Sequence, residues 1–223
     1  MKSMQKGFTL VEIAIVLVII GLLLGGILKG QEMITQAKIK NVIADFSGIS
    51  AAYHGYQDRY RAIPGDDGGA GRWAGISAVT TTSDGRLAGL YNSATATDES
   101  RLWWEDLRRA GFITGSGNSQ PLNAVSGMIG VQTGDGTAPP TGPGRVLNSA
   151  AGNDGFGGLI ICSANLPDKI AIAVDTQMDD GVPNAGTVRA QLQSSLNPTI
   201  GATADTAYAE TGTNAYTVCR SLN

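Results

Sequence analysis

The sequence predicts an α+β protein in which one long N-terminal helix, half membrane segment and half amphipathic, packs on a small antiparallel-sheet globular head. One observation is an apolar stretch from Phe8 to Leu28 whose only ionisable side chain is Glu12. Another is a helical repeat of apolar residues that continues to about Arg59. The third is a glycine-rich remainder with short β-branched segments between turn residues. The length of 223 residues suits one or two domains.

Composition excludes several functional classes. Lys and Arg number 16 against 19 Asp and Glu, so the chain lacks the positive excess that binds nucleic acid by bulk electrostatics. One histidine and two cysteines are too few for a zinc site built from several residues of either type. The sequence has no G-x-S-x-G motif, no P-loop and no dinucleotide fingerprint. We therefore expect neither enzyme activity nor catalytic residues.

The apolar stretch from Phe8 to Leu28 is long enough to cross a membrane, because a helix of this length spans about 31 Å. Lys2 and Lys6 precede it, which keeps the N-terminus in the cytoplasm and sends the remainder outward. An ordinary signal peptide, which has a shorter apolar core, and a plain single-span anchor are alternatives. Neither explains Glu12, because an acidic residue within a membrane span is costly and usually functional.

The setting of Glu12 carries a specific resemblance. The run KGFTLVE at residues 6–12, followed by the apolar helix, resembles the N-terminus of type IV pilins and type II secretion pseudopilins. This resemblance implies that a prepilin peptidase cleaves between Gly7 and Phe8, that Phe8 becomes N-methylated, and that Glu12 acts in filament assembly. Residues 1–7 would then be a leader peptide.

The same resemblance implies partners and a location. The subunit would contact copies of itself in a helical homopolymer, other pilins, prepilin peptidase, an assembly ATPase and an inner-membrane platform protein. It would first lie in the bacterial inner membrane as a single-pass protein with a cytoplasmic N-terminus and a periplasmic head. After assembly it would lie in an extracellular pilus or a periplasmic pseudopilus. The net charge of −3 predicts no bulk nucleic-acid binding.

The helical pattern continues beyond the membrane stretch and stops at Pro64. Apolar residues recur at spacings of three or four between charged residues, which predicts an amphipathic helix against the head. These apolar residues are Ile39, Val42, Ile43, Phe46, Ile49, Tyr53, Tyr56, Tyr60 and Ile63. We predict a leader over 1–7, a long helix over 8–59 with 8–28 in the membrane, and a pilin-like globular head over 60–223.

The head is predicted to contain one short helix and several strands. Segment 98–112 predicts the helix, with Asp98 near its N-cap and Gly111 as its stop. Its inward-facing residues would be Leu102, Trp103, Leu107 and Ala110. The candidate strands are 124–132, 158–163, 169–174, 187–192 and 216–220. Their short lengths and Gly, Pro and Asp boundaries favour an antiparallel sheet.

Cys162 and Cys219 are the only cysteines, and both lie in predicted strands of the exported head. An exported compartment permits oxidation, and a bridge between them resembles the C-terminal disulfide of many type IV pilins. Two free buried thiols are the alternative. We expect the disulfide, which would contribute roughly 4 kcal/mol of stability in the chain-entropy model.

An acid-rich segment is the candidate metal site. Asp175, Asp179 and Asp180 could converge with Asn184 on a calcium ion, because calcium favours several oxygen ligands from one flexible loop. Some major pseudopilins bind calcium in a C-terminal loop, although their ligands do not align with these residues. Asx-turns in an ordinary surface loop are the alternative. Apart from calcium we expect no cofactor.

These observations predict a structural subunit of a type IV pilus-type filament for adhesion and motility, since the large head and the disulfide favour a pilus. One alternative is a pseudopilin of a type II protein secretion system. Another is a minor or tip pilin for DNA uptake or receptor binding, which needs a basic or aromatic patch on the head. Arg101, Arg108 and Arg109 form the only basic cluster, and a solvated helix face is its other interpretation.

Overall fold

The computed structural model describes residues 9–73, 83–137, 144–150 and 152–222. Its elements in chain order are α1 (Leu10–Tyr60), a 3₁₀ turn (Ala70–Arg72), α2 (Glu99–Arg109), β1 (Ile129–Thr133), β2 (Leu159–Pro167), α3 (Asp168–Met178), β3 (Val188–Leu192) and β4 (Ala215–Ser221). The predicted α+β class is confirmed. Contacts divide the chain into two compact units, Met1–Lys38 and Ile39–Asn223, so the second half of α1 belongs to the same unit as the sheet.

The first half of α1 is apolar all round. An 18-residue window of this helix has a mean hydropathy of 2.8, and none of the window is buried. By length and composition the helix can therefore cross a membrane.

The second half of α1 has one buried face, which confirms the predicted amphipathic pattern. Its buried residues recur mostly at spacings of three or four, the period of a helix. They are Ile39, Val42, Phe46, Ile49, Ala52, Tyr53 and Tyr56. Together with residues of α2, α3 and the sheet they form the main hydrophobic core of the head.

The sheet has four antiparallel strands in the order β1-β2-β4-β3. β2 and β4 are its central strands, and their pairing places Cys162 opposite Cys219. β1 begins at Ile129, later than the predicted start at residue 124. The reason is a turn in which the Asn123 carboxamide oxygen accepts the backbone N–H groups of Val125 and Gly127. This side chain takes the place of ladder hydrogen bonds in that segment.

The predicted strand over 169–174 is wrong, because these residues lie in α3. Ile170, Ala171, Val174 and Asp175 are buried, and this spacing fits one face of a helix rather than the alternation of a strand. Five of the six residues in the segment are apolar, and such a short run fits both periods.

α2 confirms the helix predicted over 98–112, with Asp98 at its N-cap. Gly111 has a φ of 79°, which ends the helix as predicted. Trp103 and Leu107 are buried as expected, whereas Leu102 and Ala110 are half-buried. The other buried residues of α2 are Glu99, Ser100, Trp104 and Asp106.

The turn after α1 contacts α2 through Gly65. Its φ is 81°, and a Cβ at this position would overlap the Glu99 carbonyl oxygen and the Trp103 backbone nitrogen. The Gly65 N–H donates to Asp106 Oδ2 at 2.7 Å. Glycine is therefore needed here both for the backbone angle and for the close approach to α2.

In the 3₁₀ turn that follows, the Arg72 side chain packs against two aromatic rings. The Arg72 guanidinium donates to Asp67 Oδ2 at 2.6 Å and lies 4.6 Å from the ring centre of Tyr60 and 4.8 Å from that of Trp73. The Tyr56 hydroxyl donates to the same carboxylate at 2.6 Å. Burial acts to raise the pKa of Asp67, but the hydrogen bonds from Arg72 and Tyr56 outweigh it and lower that pKa.

Two further buried aspartates, Asp66 and Asp106, stabilise the turn, and neither accepts a hydrogen bond from an arginine or lysine of the described residues. Asp66 accepts the backbone N–H groups of Asp84 and Gly85, and Asp106 accepts that of Gly65. Burial raises the pKa of Asp66 to about 6 and the pKa of Asp106 to about 7. Among the described residues, Asp106 Oδ1 has no hydrogen-bond partner. Both carboxyl groups therefore gain protons more readily in the folded chain than in the unfolded one.

This burial makes the stability of the head pH-dependent. The pKa of Asp106 rises from an ordinary 3.8 to about 7 on folding, so its stabilising contribution is present at low pH and is lost as the pH rises through that range. Asparagine keeps an acceptor for the Gly65 N–H and does not ionise. We therefore expect Asp106→Asn to gain melting temperature relative to the wild type between about pH 4 and about pH 8.

Circular dichroism of the full chain in non-ionic detergent measures both melting temperatures across this range. Asp58→Asn is the control, because the Asp58 side chain is 86% exposed. Parallel curves for Asp106→Asn and the wild type would contradict the assigned role of Asp106.

Candidate functional site

The candidate functional site is the N-terminal segment. Gly7 and Phe8, the predicted cleavage and N-methylation residues, lie outside the described residues. The structure describes the chain from Thr9 onward, and α1 begins at Leu10. Cleavage and methylation therefore stay predictions.

Glu12 makes a reciprocal contact with Thr9 at the start of α1. The Thr9 backbone N–H and hydroxyl each donate to Glu12 Oε2 at 2.8 Å, and the Glu12 N–H donates to Thr9 Oγ1 at 3.3 Å. This is a capping box, in which two side chains satisfy backbone groups that a helix start leaves unpaired. The sequence reasoning missed it, although the spacing T-x-x-E before an apolar run is its signal. Glu12 therefore has a role within its own helix besides the predicted one in assembly.

The surface that follows Glu12 is continuously apolar. Every large hydrophobic side chain from Leu10 to Leu28 is between 47% and 86% exposed. Water does not favour a surface of this extent, and such patches are normally covered by a membrane or by other proteins. The segment thus offers a helix surface for lipid or for other apolar helices.

Cys162 and Cys219 form a disulfide that joins the two central strands of the sheet. Their Cα atoms lie 4.0 Å apart, and both residues are fully buried. They belong to a second core cluster on the sheet, with Tyr91, Leu147 and Ile160 among its members. The bridge fixes the register of β2 against β4.

The structure brings together the acids of the predicted metal site. Asp175, Asp179 and Asp180 each place a carboxylate oxygen within 4.8 Å of the others. Asp179 Oδ2 accepts the backbone N–H groups of Thr187 at 2.5 Å and Val188 at 2.9 Å.

The other two acids also make hydrogen bonds within the loop. Asp180 accepts the N–H of Val182, and Asp175 accepts the Tyr208 hydroxyl at 2.7 Å. Burial raises the pKa of Asp175. These hydrogen bonds agree with the Asx-turn interpretation, and the convergence of the carboxylates agrees with a cation site.

Two arginines of the predicted basic cluster are hydrogen-bonded to a loop of the head, whereas Arg109 is exposed. The Arg101 guanidinium donates to the Asn118 carbonyl and carboxamide oxygens at 2.8 and 3.0 Å. Arg108 donates to the Gly117 carbonyl at 2.8 Å, and Arg109 lies 3.6 Å from a Glu105 carboxylate oxygen. Arg101 and Arg108 therefore join α2 to the segment that follows it through hydrogen bonds.

Residues 2–28 match the prokaryotic N-terminal methylation motif, the prepilin signature of type IV pilins and pseudopilins. The resemblance read from KGFTLVE is thereby confirmed. The motif implies processing by prepilin peptidase, assembly with other pilins and membrane anchoring before assembly, and it points to a structural protein family. No curated protein and no solved structure matches the chain.

The disulfide yields a test of head stability. We expect Cys162→Ala to lower the free energy of unfolding by about 2–5 kcal/mol, because the bridge constrains the unfolded chain. Chemical denaturation of the full chain in detergent measures this loss. The wild type treated with dithiothreitol is the control, since it loses the bridge and keeps both side chains. Two reactive thiols in the denatured, unreduced wild type would contradict the bond.

Proposed function

We propose that this chain is a structural subunit of a type IV pilus-type filament for adhesion and motility. The observation that carries the proposal is the methylation motif at residues 2–28, which coincides with a helix whose apolar side chains are exposed from Leu10 to Leu28. A subunit with this surface is stored in lipid and can later exchange lipid for identical helices.

The proposed mechanism begins in the bacterial inner membrane, with the N-terminus in the cytoplasm and the head in the periplasm. Prepilin peptidase removes residues 1–7, including Lys2 and Lys6, and the new N-terminal Phe8 is methylated. An assembly ATPase and an inner-membrane platform protein then add the subunit to a growing bundle of apolar helices. The heads form the outer surface of the filament.

Several features of the head bear on the kind of filament. The large head and the Cys162–Cys219 disulfide favour a pilus, because many type IV pilins have a C-terminal disulfide. The hydrogen bonds of Arg101 and Arg108 to loop carbonyls argue against a basic patch for a tip pilin of DNA uptake. The acidic loop favours the second candidate, a pseudopilin of type II secretion, since some major pseudopilins bind calcium in a C-terminal loop.

The second candidate yields a test with calcium. The Asp175, Asp179 and Asp180 oxygens converge closely enough for one cation. If the loop takes calcium, the melting temperature of the full chain rises with calcium and falls in chelator, and Asp180→Asn removes this response. Asp84→Asn, in another loop, is the control and keeps it. An unchanged melting temperature in calcium and in chelator would remove the calcium proposal.

The filament itself is the direct test of the proposed function. We expect sheared surface filaments to contain this chain as their main subunit, with an intact mass that starts at methylated Phe8. Mass spectrometry of filaments and of membranes measures both properties. A chain that begins beyond residue 25 would show an ordinary signal peptide and overturn the proposal. A correctly processed chain found only in cells, with filaments formed on overexpression of secretion components, would favour the pseudopilin.

Glu12 is proposed to set the axial register of each incoming subunit. Cleavage after Gly7 creates a cationic amine on Phe8, which can pair with Glu12 of a neighbouring subunit or with Glu12 in the same helix. A mis-registered subunit would leave both charges unpaired in a low-dielectric bundle, which is unfavourable. The capping box with Thr9 offers a competing explanation, in which Glu12 serves only to begin its own helix.

Two variants distinguish the effect of the Glu12 charge on assembly from the effect of the capping box. Glu12→Gln keeps an acceptor for Thr9 and loses the charge, whereas Thr9→Ala keeps the charge and loses the capping box. We expect Glu12→Gln and Glu12→Ala to reach normal membrane levels with a folded head and to lower filament yield roughly tenfold or more, because the pairing charge is missing. Thr9→Ala should assemble nearly normally.

Immunoblots of membranes and of sheared filaments measure levels and yield, and intact mass confirms that each variant is processed. Wild-type yield from Glu12→Gln combined with low yield from Thr9→Ala would show that capping, and not charge, is what assembly requires.

A further inference from the structure

A cleft in the head is lined by two arginines. Its volume is about 510 Å³, and Arg86, Arg145, Tyr53, Thr133, Gly157 and Gly158 contribute to its walls. This volume lies within the range of small-molecule sites, roughly 300–1,000 Å³. Polar groups, glycine backbone and the apolar residues Ile63 and Leu159 thus share one concave surface with two arginines.

The backbone around Arg86 is fixed on both sides. Asp66 Oδ2 accepts the N–H of Gly85 at 2.7 Å, and Thr133 Oγ1 accepts the N–H of Leu87 at 2.9 Å. Within the part of the chain that the structure describes, the Arg86 guanidinium has neither an ion pair nor a hydrogen bond. Its Cα is therefore held in place while its charged group is available to a ligand.

Arg145 is held by its own side chain. One guanidinium nitrogen donates to the Gly155 carbonyl at 2.7 Å, which leaves the remaining N–H groups of the fork for other acceptors. No carboxylate of the described residues pairs with it.

Some other arginines of the head pair with carboxylates instead. Arg72 pairs with Asp67 at 2.6 Å, and Arg189 lies 3.5 Å from Asp154. The carboxylate closest to Arg86 in sequence is that of Asp84, and it accepts the Arg86 backbone N–H at 3.0 Å. Arg86 and Arg145 therefore bring two positive charges that have no carboxylate partner among the described residues to one cleft of a chain with a net charge of −3.

We propose that the Arg86–Arg145 cleft binds a small organic anion through its phosphate or carboxylate group. Guanidinium groups recognise both oxyanions through paired, charge-assisted hydrogen bonds. The volume of about 510 Å³ leaves room for an uncharged body beyond the oxyanion, and the polar walls suit a hydroxylated one such as a sugar. The proposal uses residues of the unit Ile39–Asn223 and none of the motif at residues 2–28, which carries the proposed filament function.

Isothermal titration calorimetry of the full chain in non-ionic detergent tests this site. The probes are glucose 6-phosphate and glucuronate, with glucose as the neutral control. We expect at least one of the two anions to bind, with an affinity that falls as salt concentration rises, and glucose not to bind.

Arg86→Gln and Arg145→Gln should each weaken anion binding at least tenfold. Arg109→Gln is the matched control, because this arginine lies outside the cleft and pairs with Glu105. Circular dichroism checks that each variant is folded. If Arg145→Gln does not fold, the binding measured with Arg86→Gln tests the proposal. The proposal is overturned if neither anion binds, if glucose binds equally well, or if Arg109→Gln weakens binding as much as Arg86→Gln.

Discussion

The exposed apolar surface of α1 between Leu10 and Leu28 is the constraint on which the other features depend. No described part of the chain covers it, so lipid or other apolar helices must do so. Lipid and leucine-rich helices are equally apolar, and the hydrophobic effect therefore gives little preference for the bundle over the membrane. Close packing at small residues such as Gly21 and Gly25, and polar contacts, have to supply that preference.

The capping box changes how Glu12 is tolerated within this surface. An unsatisfied carboxylate in lipid is strongly unfavourable, whereas the Thr9 N–H and hydroxyl give Glu12 Oε2 two donors in the single subunit. These donors make storage in the membrane less costly. An ion pair between Glu12 and a Phe8 amine in the filament would compete with the existing contact between Glu12 and Thr9. The free energy that selects the correct register is therefore the difference between these two interactions, not the full energy of the ion pair.

The helical period predicted the second half of α1, the residues at its two ends predicted α2, and short β-branched segments between turn residues predicted the antiparallel sheet. Such local signals were ambiguous in one segment. They failed at residues 169–174, where a short apolar run fits both a strand and the helix α3. The KGFTLVE run identified the N-terminal motif, and the acids at 175, 179 and 180 do converge. The burial of Asp106 and the cleft at Arg86 could not be predicted, since both depend on contacts between residues distant in sequence.

Side-chain acceptors explain how the head is stable with so little regular structure. Asp66, Asp106, Asn123, Asp168 and Asp179 each accept backbone N–H groups from segments outside the helices and strands, where these side chains take the place of helix or ladder acceptors. Much of the acidic and amide content of the head is thus committed to its own backbone. A charged side chain of the head that makes no such hydrogen bond is a candidate for ligand binding, because it does not serve to stabilise the backbone. By this criterion the Arg86 guanidinium, and not the acidic loops, is the polar group of the head best placed to serve a ligand, and Arg145 lines the same cleft.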